Sequence, residues 1–391
     1  MKKFVSPFIL LCGTGMFAIF SSTISKNPVL PLFSESLGAS KSTIGLIASA
    51  STVVGILSSL PAGVLSDFYG RRRVILLATF VFASAPFFYF LVKSTWQLAI
   101  VRIYHGFATA IFGPVAMALV ADLFLKRRGE NMGWYSSSTL VGRSLAPIVG
   151  GVIIDLYGFK SVYFGCGVAG IIAFLLSIFI PIKHQLKSNV VRFSVRIKDM
   201  GRGLKEITQN RGIMVTSCVE AIQYLAFGAF ETFLPLYCIA IGMEKTLIGA
   251  LFTIQLIGTT LTKPVMGRFS DKYGRRQMIS IGLITGAIAL GMIPFLKSFW
   301  TMIPASVLFG ISLSTVTVST AAFVSDLAKS GSYGSALGVM STIMDVGHAS
   351  GPIISGLIIA KFGYLQMFLI IAIILFIVGG SFSSIIGKTK T

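Results

Sequence analysis

A handful of ionisable residues sit inside long apolar stretches, where burial makes charge expensive. Glu220 and Glu231 share the stretch 213–241, eleven residues apart. At 3.6 residues per turn that puts them near one face of a helix, about three turns apart. Asp345 and His348 share the stretch 333–360, three residues apart. One helical turn of separation lets a carboxylate and an imidazole share or relay a proton, or join neighbouring helices by a structural hydrogen bond. Arg102 lies within 96–121, and Lys26 sits beside Asn27-Pro28 in the first apolar stretch. An arginine at that depth costs ~2.5–3.5 kcal/mol on insertion scales, so Arg102 should face protein or a wet cavity. Snorkelling to the outer interface is its other reading. Ionisable groups in such stretches are functional candidates by default. Each glutamate reads as a proton carrier or as the counter-charge for a cationic substrate. Lys26 reads as a substrate contact or as the partner of an acid, and Lys263 is the remaining cation of this kind.

The elements that must hold these groups are long and apolar. The chain is 54% hydrophobic and 12% charged over 391 residues, against about 25% charged in a soluble domain. It has too few charges to cover a soluble surface. Twelve apolar segments are predicted, at 7–33, 41–65, 74–92, 96–121, 133–157, 161–181, 213–241, 246–269, 278–295, 299–325, 333–360 and 364–386. Each approaches the ~20 residues that cross a bilayer as a helix. The first is read as a span and not as a signal peptide, because it continues to Phe33 with no small-residue cleavage site. The net charge of +20 does not point to nucleic acid, because the basic residues fall in short connectors. With both termini on the cytoplasmic side, the inner segments hold 23 Lys and Arg and the outer loops hold six, an asymmetry that orients the chain in a cell membrane. Residues 182–212 carry eight Lys or Arg and two acids. They read as a basic cytoplasmic linker between an N-terminal half, 1–181, and a C-terminal half, 213–391, with a composition suited to an amphipathic helix on anionic lipid. The four cysteines, Cys12, Cys166, Cys218 and Cys238, have no metal or disulfide spacing and read as small buried hydrophobes.

The halves repeat. At an offset of 204, Leu30-Pro31-Leu32-Phe33 matches Leu234-Pro235-Leu236-Tyr237, Asp67 matches Asp271, and Asp122 matches Asp326. At 205, Gly142, Pro147 and Gly151 match Gly347, Pro352 and Gly356. Arg143 and His348 are equivalent under that offset. Position 307 is read as the counterpart of Arg102 and is Val, so the halves differ chemically. The repeat includes a connector. Gly63-Val64-Leu65-Ser66-Asp67-Phe68-Tyr69-Gly70-Arg71-Arg72-Arg73 recurs as Gly267-Arg268-Phe269-Ser270-Asp271-Lys272-Tyr273-Gly274-Arg275-Arg276-Gln277. Each Asp is expected just past a helix end. Gly70 and Gly274 would permit the tight turn, and Gly63 and Gly267 close helix approach.

This duplicated connector resembles the signature loop of the major facilitator superfamily. The fifth apolar segment, Gly142-Arg143-Ser144-Leu145-Ala146-Pro147-Ile148-Val149-Gly150-Gly151, resembles that superfamily's antiporter motif, with Ala146 where Gly is usual. A weaker copy holds Gly347, Gly351 and Pro352. Arg102 followed four residues later by Gly106 is similar to its fourth-helix motif. The resemblance, closest to the drug:proton antiporter branch, implies twelve transmembrane helices in two pseudo-symmetric six-helix halves. It implies alternating access without enzyme activity, and protons as coupling ion with no other cofactor or metal. It gives Asp67, Arg71, Arg72, Asp271, Arg275 and Arg276 a gating role that Asp122 and Asp326 would join, and Arg102 a role in proton coupling or a salt link. The glycines and prolines of the fifth and eleventh segments would seal a contact between the halves. The substrate implied is a small amphipathic or drug-like molecule, handled by a monomer in the bilayer. Uptake symport of a metabolite and a non-transporting sensor or lipid-handling role are the competing readings. No P-loop, His-Glu-x-x-His or nucleophile-elbow pattern occurs, against an ATP-driven pump or a hydrolase.

Overall fold

The computed structural model describes residues 6–124, 127–180, 207–328 and 332–387; side chains at 59–65, 67–68, 383 and 385–387 lie outside that description. Most of the predicted linker therefore falls outside the described residues. Everything described is helix and short connection. The helices are α1 (Pro7–Ile24), α2 (Val29–Ser36), α3 (Lys41–Tyr69), α4 (Arg71–Phe88) and α5 (Thr95–Leu123). The run Arg128–Ile178 is broken at Gly158, which has φ 76° and ψ −179°, giving α6 (128–157) and α7 (159–178). Then come α8 (Arg211–Ala240), α9 (Lys245–Tyr273), α10 (Arg275–Met292), α11 (Phe299–Leu327), α12 (Tyr333–Phe362) and α13 (Tyr364–Gly387). Eleven described runs are long and apolar enough to cross a membrane. Because one of them is the α6–α7 pair, they make twelve crossings.

Local sequence explains most helix ends. Ser40 accepts from the Thr43 amide at 3.2 Å to start α3, and Asn210 accepts from the Ile213 amide at 3.2 Å to start α8. Each satisfies an amide with no partner inside its helix. The first span departs from the prediction. It breaks at 25–28 into α1 and α2, where Pro28 lacks an amide hydrogen and cannot continue the ladder. The repeat-equivalent residue is Thr232, and α8 runs straight through it.

The signature connectors are shorter than predicted. Asp67 and Asp271 are not beyond their helices but inside the last turns of α3 and α9. The whole reversal is made at one residue, Gly70 with φ 91° and Gly274 with φ 97°, a conformation side chains rarely adopt. Gly274→Val is expected to cost about 1–3 kcal/mol, read as a lower unfolding temperature of the purified protein. Gly267 does not serve close backbone approach. A Cβ there would meet only the Val318 side chain, at 3.4 Å. The surroundings of Gly63 and Asp67 lie outside the described side chains.

The helices group into two compact units. One comprises the described residues of Met1–Ser188 together with Glu244–Thr253, and the other those of Asn189–Met243 and Ile254–Thr391. In the N-terminal unit α1 packs on α6, α3 on α5, and α4 on α5 and α7. In the C-terminal unit α8 packs on α12 and α11, and α10 on α11 and α13. The same residues of the repeat make these seams. A Cβ on Gly142 would strike the backbone of Met16; one on Gly347 would strike that of Ala221, with Cα at 2.7 Å. Gly106 abuts Ser51 at 2.8 Å, and Gly310 abuts Gln255 at 2.7 Å, on the same measure. The second pair holds an offset of 204 through α5 and α11. The counterpart of Arg102 is therefore the buried Ser306 and not Val307.

The glycine-rich stretches were expected to seal a contact between the halves. Gly142 instead packs on α1, Gly150 on Ile24 and Val29, and Gly347 and Gly351 on α8, all inside their own units. Pro352 lies against Gly228 in the same way. Gly151 and Pro147 do meet the second half of the sequence: they face Lys245 and Gly249 in the first turns of α9, residues that pack as part of the N-terminal unit. Of the cysteines, Cys218 is exposed, not buried.

Candidate transport site

In the C-terminal unit, α8 carries both glutamates into the protein. Glu220 is 3% exposed and lies nine residues into the helix, about 14 Å along it. Thr320 on α11 donates a hydrogen bond to its Oε2 at 2.9 Å, and Lys263 on α9 is close enough to act on it by charge. One turn along α8, the fully buried Gln223 amide has neither end paired among the described residues. Uncompensated polar atoms at this depth are costly, so this part of α8 is built for a polar visitor or for water.

Glu231, three turns on, meets the eleventh predicted segment. Its Oε2 is 3.1 Å from His348 Nε2 on α12. Phe227 stacks on the imidazole at 5.5 Å between centroids, and Tyr224 meets it edge-on at 6.0 Å. The sequence pairs His348 with Asp345 on its own helix; the structure supplies the glutamate across the seam as well. Gly228, which touches the His348 carbonyl and Pro352, brings α8 and α12 close enough for this. Asp345 and Lys26 are partly buried, and Arg143 is exposed.

In the N-terminal unit Arg102 does not snorkel. It is 3% exposed, and its Nη2 donates to Ser51 Oγ at 2.7 Å. His105, one turn on, is 2% exposed, with Nδ1 3.4 Å from the Tyr89 hydroxyl. Tyr163 stacks on Tyr89 at 4.1 Å.

At the helix ends near the signature connectors the charges gather. Arg71 Nε lies 2.5 Å from Asp122 Oδ2, and Arg72 donates to the Ile178 carbonyl at 2.5 Å. In the repeat, Arg275 pairs with Asp271 on one side and with Asp326, at 3.2 Å, on the other. Arg276 lies over the Phe323 ring at 5.5 Å. One arginine thus ties the last turn of α9 to the end of α11 across the glycine turn. These pairs are half-exposed, where an ion pair contributes about 0–1 kcal/mol. They can therefore form and break without much effect on folding.

The family model of the Major Facilitator Superfamily matches residues 10–244 and 216–386. The chain belongs to the major facilitator superfamily. Among curated relatives of this superfamily member, an uncharacterized MFS-type transporter of Methanocaldococcus jannaschii, MJ1560, is 25% identical over 96% of this chain and 95% of its own. Multidrug resistance protein 2 of Bacillus subtilis is 26% identical over 92% and 91%. Multidrug resistance protein MdtG of Enterobacter lignolyticus is 24% identical over 89% and 84%. Among solved structures, a bacterial homologue of the human lysosomal transporter Spinster, in an inward-facing and occupied conformation, superposes with a TM-score of 0.82 at 15% identity, covering 98% of this chain and 96% of that one. The nucleoside transporter NupG gives 0.80 at 14%, covering 99% and 100%. The superfamily, its twelve-helix fold, the likeness to its drug:proton antiporter branch and membership among multi-pass membrane transporters rather than enzymes are thereby established.

The fold of this superfamily member gathers several residues that carry no distinguishing signal in the sequence. Thr320 and Gln223 look like ordinary polar residues of an apolar helix, and only the packing of α8 on α11 gives the first its partner. Tyr89 and Tyr163 were two of many span aromatics. Asp155, at the end of α6, is another such residue. It accepts from the Thr246 amide and hydroxyl at 2.6 and 2.7 Å and holds the first turn of α9. Its spacing from Gly151 and Ser144, one and three turns, marks that face of α6. Ser144 uses it too, accepting from Thr253 at 2.9 Å.

Proposed function

We propose that this protein is a proton-coupled exporter of small amphipathic or drug-like molecules, working by alternating access. One observation carries the proton reading: Glu220, a carboxyl buried deep in α8 beside a single hydroxyl donor. Such a group can take up a proton and give it back without disturbing a larger ion-pair network. Export is supported by the multidrug resistance proteins among the relatives and by the antiporter-like fifth segment. The cycle runs by competition. A proton from outside and a substrate from inside exclude one another at the Glu220 and Glu231–His348 groups, so passage of one drives the other. Asp345, Lys26, Arg102 and Arg143 serve coupling or substrate contact, and the Arg71–Asp122 and Asp271–Arg275–Asp326 clusters make and break as access alternates. The protein acts as a monomer in the cell's inner membrane, and the charge asymmetry of its connectors supports an orientation with both termini cytoplasmic. It needs no cofactor besides the proton and binds no nucleic acid.

Inverted membrane vesicles energised to an acid interior test this. Adding a lipophilic cation or an antibiotic should release protons, seen by a pH-sensitive dye. The Asp345→Asn variant should lose the response if that acid shares the proton of His348; full activity removes Asp345 from the coupling set. Substrate accumulation in right-side-out vesicles, with no release in inverted ones, would replace export by uptake symport. Ligand binding with no flux in either preparation would point to a sensor.

A further inference from the structure

The buried cluster around Arg102 has a composition that proton transfer does not explain. Arg102, His105, Tyr89 and Tyr163 are all between 1% and 3% exposed. The guanidinium donates to Ser51 and to the Tyr89 hydroxyl. Tyr89 stacks on Tyr163 at 4.1 Å and meets the His105 ring edge-on at 6.1 Å, so the four side chains lie in one group. In one tautomer of His105 the Tyr89 hydroxyl donates to Nδ1, 3.4 Å away. The neutral imidazole then carries its hydrogen on Nε2. Three polar atoms are left over among these buried groups: Arg102 Nε, His105 Nε2 and Tyr163 Oη, each without a partner among the described residues. All three can donate. Among the described residues no carboxylate pairs with Arg102.

A desolvated guanidinium with surplus donors and no counter-charge among the described residues is a costly arrangement. Water would quiet some donors but leave the charge. An anion satisfies both at once through charge-assisted hydrogen bonds. Arg102 lies seven residues into α5, about 10 Å along it, too deep for free exposure to solvent. Phe82 meets the His105 ring edge-on at 5.7 Å, so an apolar wall bounds the group.

We propose that Arg102, His105 and Tyr163 form a binding site for a small monovalent anion, a halide ion or a carboxylate group. The inference stands on the packing of the N-terminal unit alone. It requires no choice between export and uptake.

The test uses the full chain, purified and held in lipid nanodiscs. Thermal unfolding is followed while gluconate is replaced by chloride, formate or benzoate at constant ionic strength. A saturable rise in unfolding temperature with at least one of the three is expected, and it should be absent in Arg102→Gln. Chloride and formate acting best would identify a free small ion; benzoate acting best would identify the carboxylate of a larger ligand. No rise in the wild type with any anion overturns the proposal, as does an equal rise in Arg102→Gln. If that variant does not fold, Tyr163→Phe and His105→Phe each remove one donor. The half-saturating concentration should then climb about tenfold, and an unchanged value in both variants rejects the site.

Discussion

Glu220→Gln is expected to abolish proton-coupled transport while leaving the protein folded. The amide has the shape of the carboxyl and can still accept from Thr320, whose hydroxyl reaches Glu220 Oε2 at 2.9 Å. It cannot take up or release a proton. Proton-transfer groups contribute typically on the order of 10²–10⁴ in rate. Substrate-evoked proton release in energised vesicles should therefore fall about a hundredfold or more. Substrate binding to the purified variant should stay within severalfold. Thr320→Val makes a graded companion, because it keeps the proton site and deletes only its donor. It should alter the pH at which transport is half-maximal and leave a measurable rate. A full dye response in Glu220→Gln would move the carrier to Glu231 or Asp345.

The largest expected effect on folding comes from the seam between α8 and α12. Gly347→Ala adds one methyl group at a point where the Ala221 backbone already stands, with Cα 2.7 Å from the new Cβ. Backbone cannot swing aside as a side chain can. The helices must part, which opens the Glu231–His348 contact made by the very next residue of α12. Overpacking of this kind costs about 1–3 kcal/mol. Gly338→Ala, on the same helix with nothing within 4 Å of the added carbon, provides the control. There the change should be neutral or favourable by up to about 1 kcal/mol, because glycine is a poor helix residue. Opposite shifts in unfolding temperature for one chemical change on one helix are the expected result. Equal shifts would mean that the seam tolerates separation.

The two substitutions differ in how visible their sites were before any fold was known. The twelve spans, the duplication and the superfamily could all be read from apolar runs, the charge of connectors and the twice-written Gly-x-x-x-Asp segment. Those features are local, or repeat at a fixed offset, and so survive in one dimension. Glu220 and Arg102 were also conspicuous, because a charge in an apolar run is anomalous wherever its helix goes. Their partners were not. Thr320 is a hundred residues from Glu220, and Glu231 is 117 from His348. A single chain read alone gives no means of pairing them. In the glycine stretches, Gly151 and Pro147 meet α9 of the second half of the sequence as expected, whereas Gly142, Gly347 and Gly351 pack within their own half. Small residues announce that a backbone is near without saying whose. The polar residues before Gly70 and Gly274 read as loop in the sequence, yet the helices run on to Tyr69 and Tyr273. Asp271 and Lys272 stay helical, since a lone positive-φ glycine completes the reversal.

The two units share their seams and differ in their chemistry. Gly142 against Met16 recurs as Gly347 against Ala221, and Gly106 against Ser51 as Gly310 against Gln255. Arg102, by contrast, faces a serine in the copy, Glu231 an asparagine, and His348 an arginine. What a duplicated gene must keep in order to fold is therefore separate from what it is free to vary. New specificities can arise at the variable positions one at a time, without renegotiating the frame. Laboratory evolution of this transporter toward other cargo should find its productive changes beside Glu220, Glu231, His348 and Arg102, and its dead ends at the glycines.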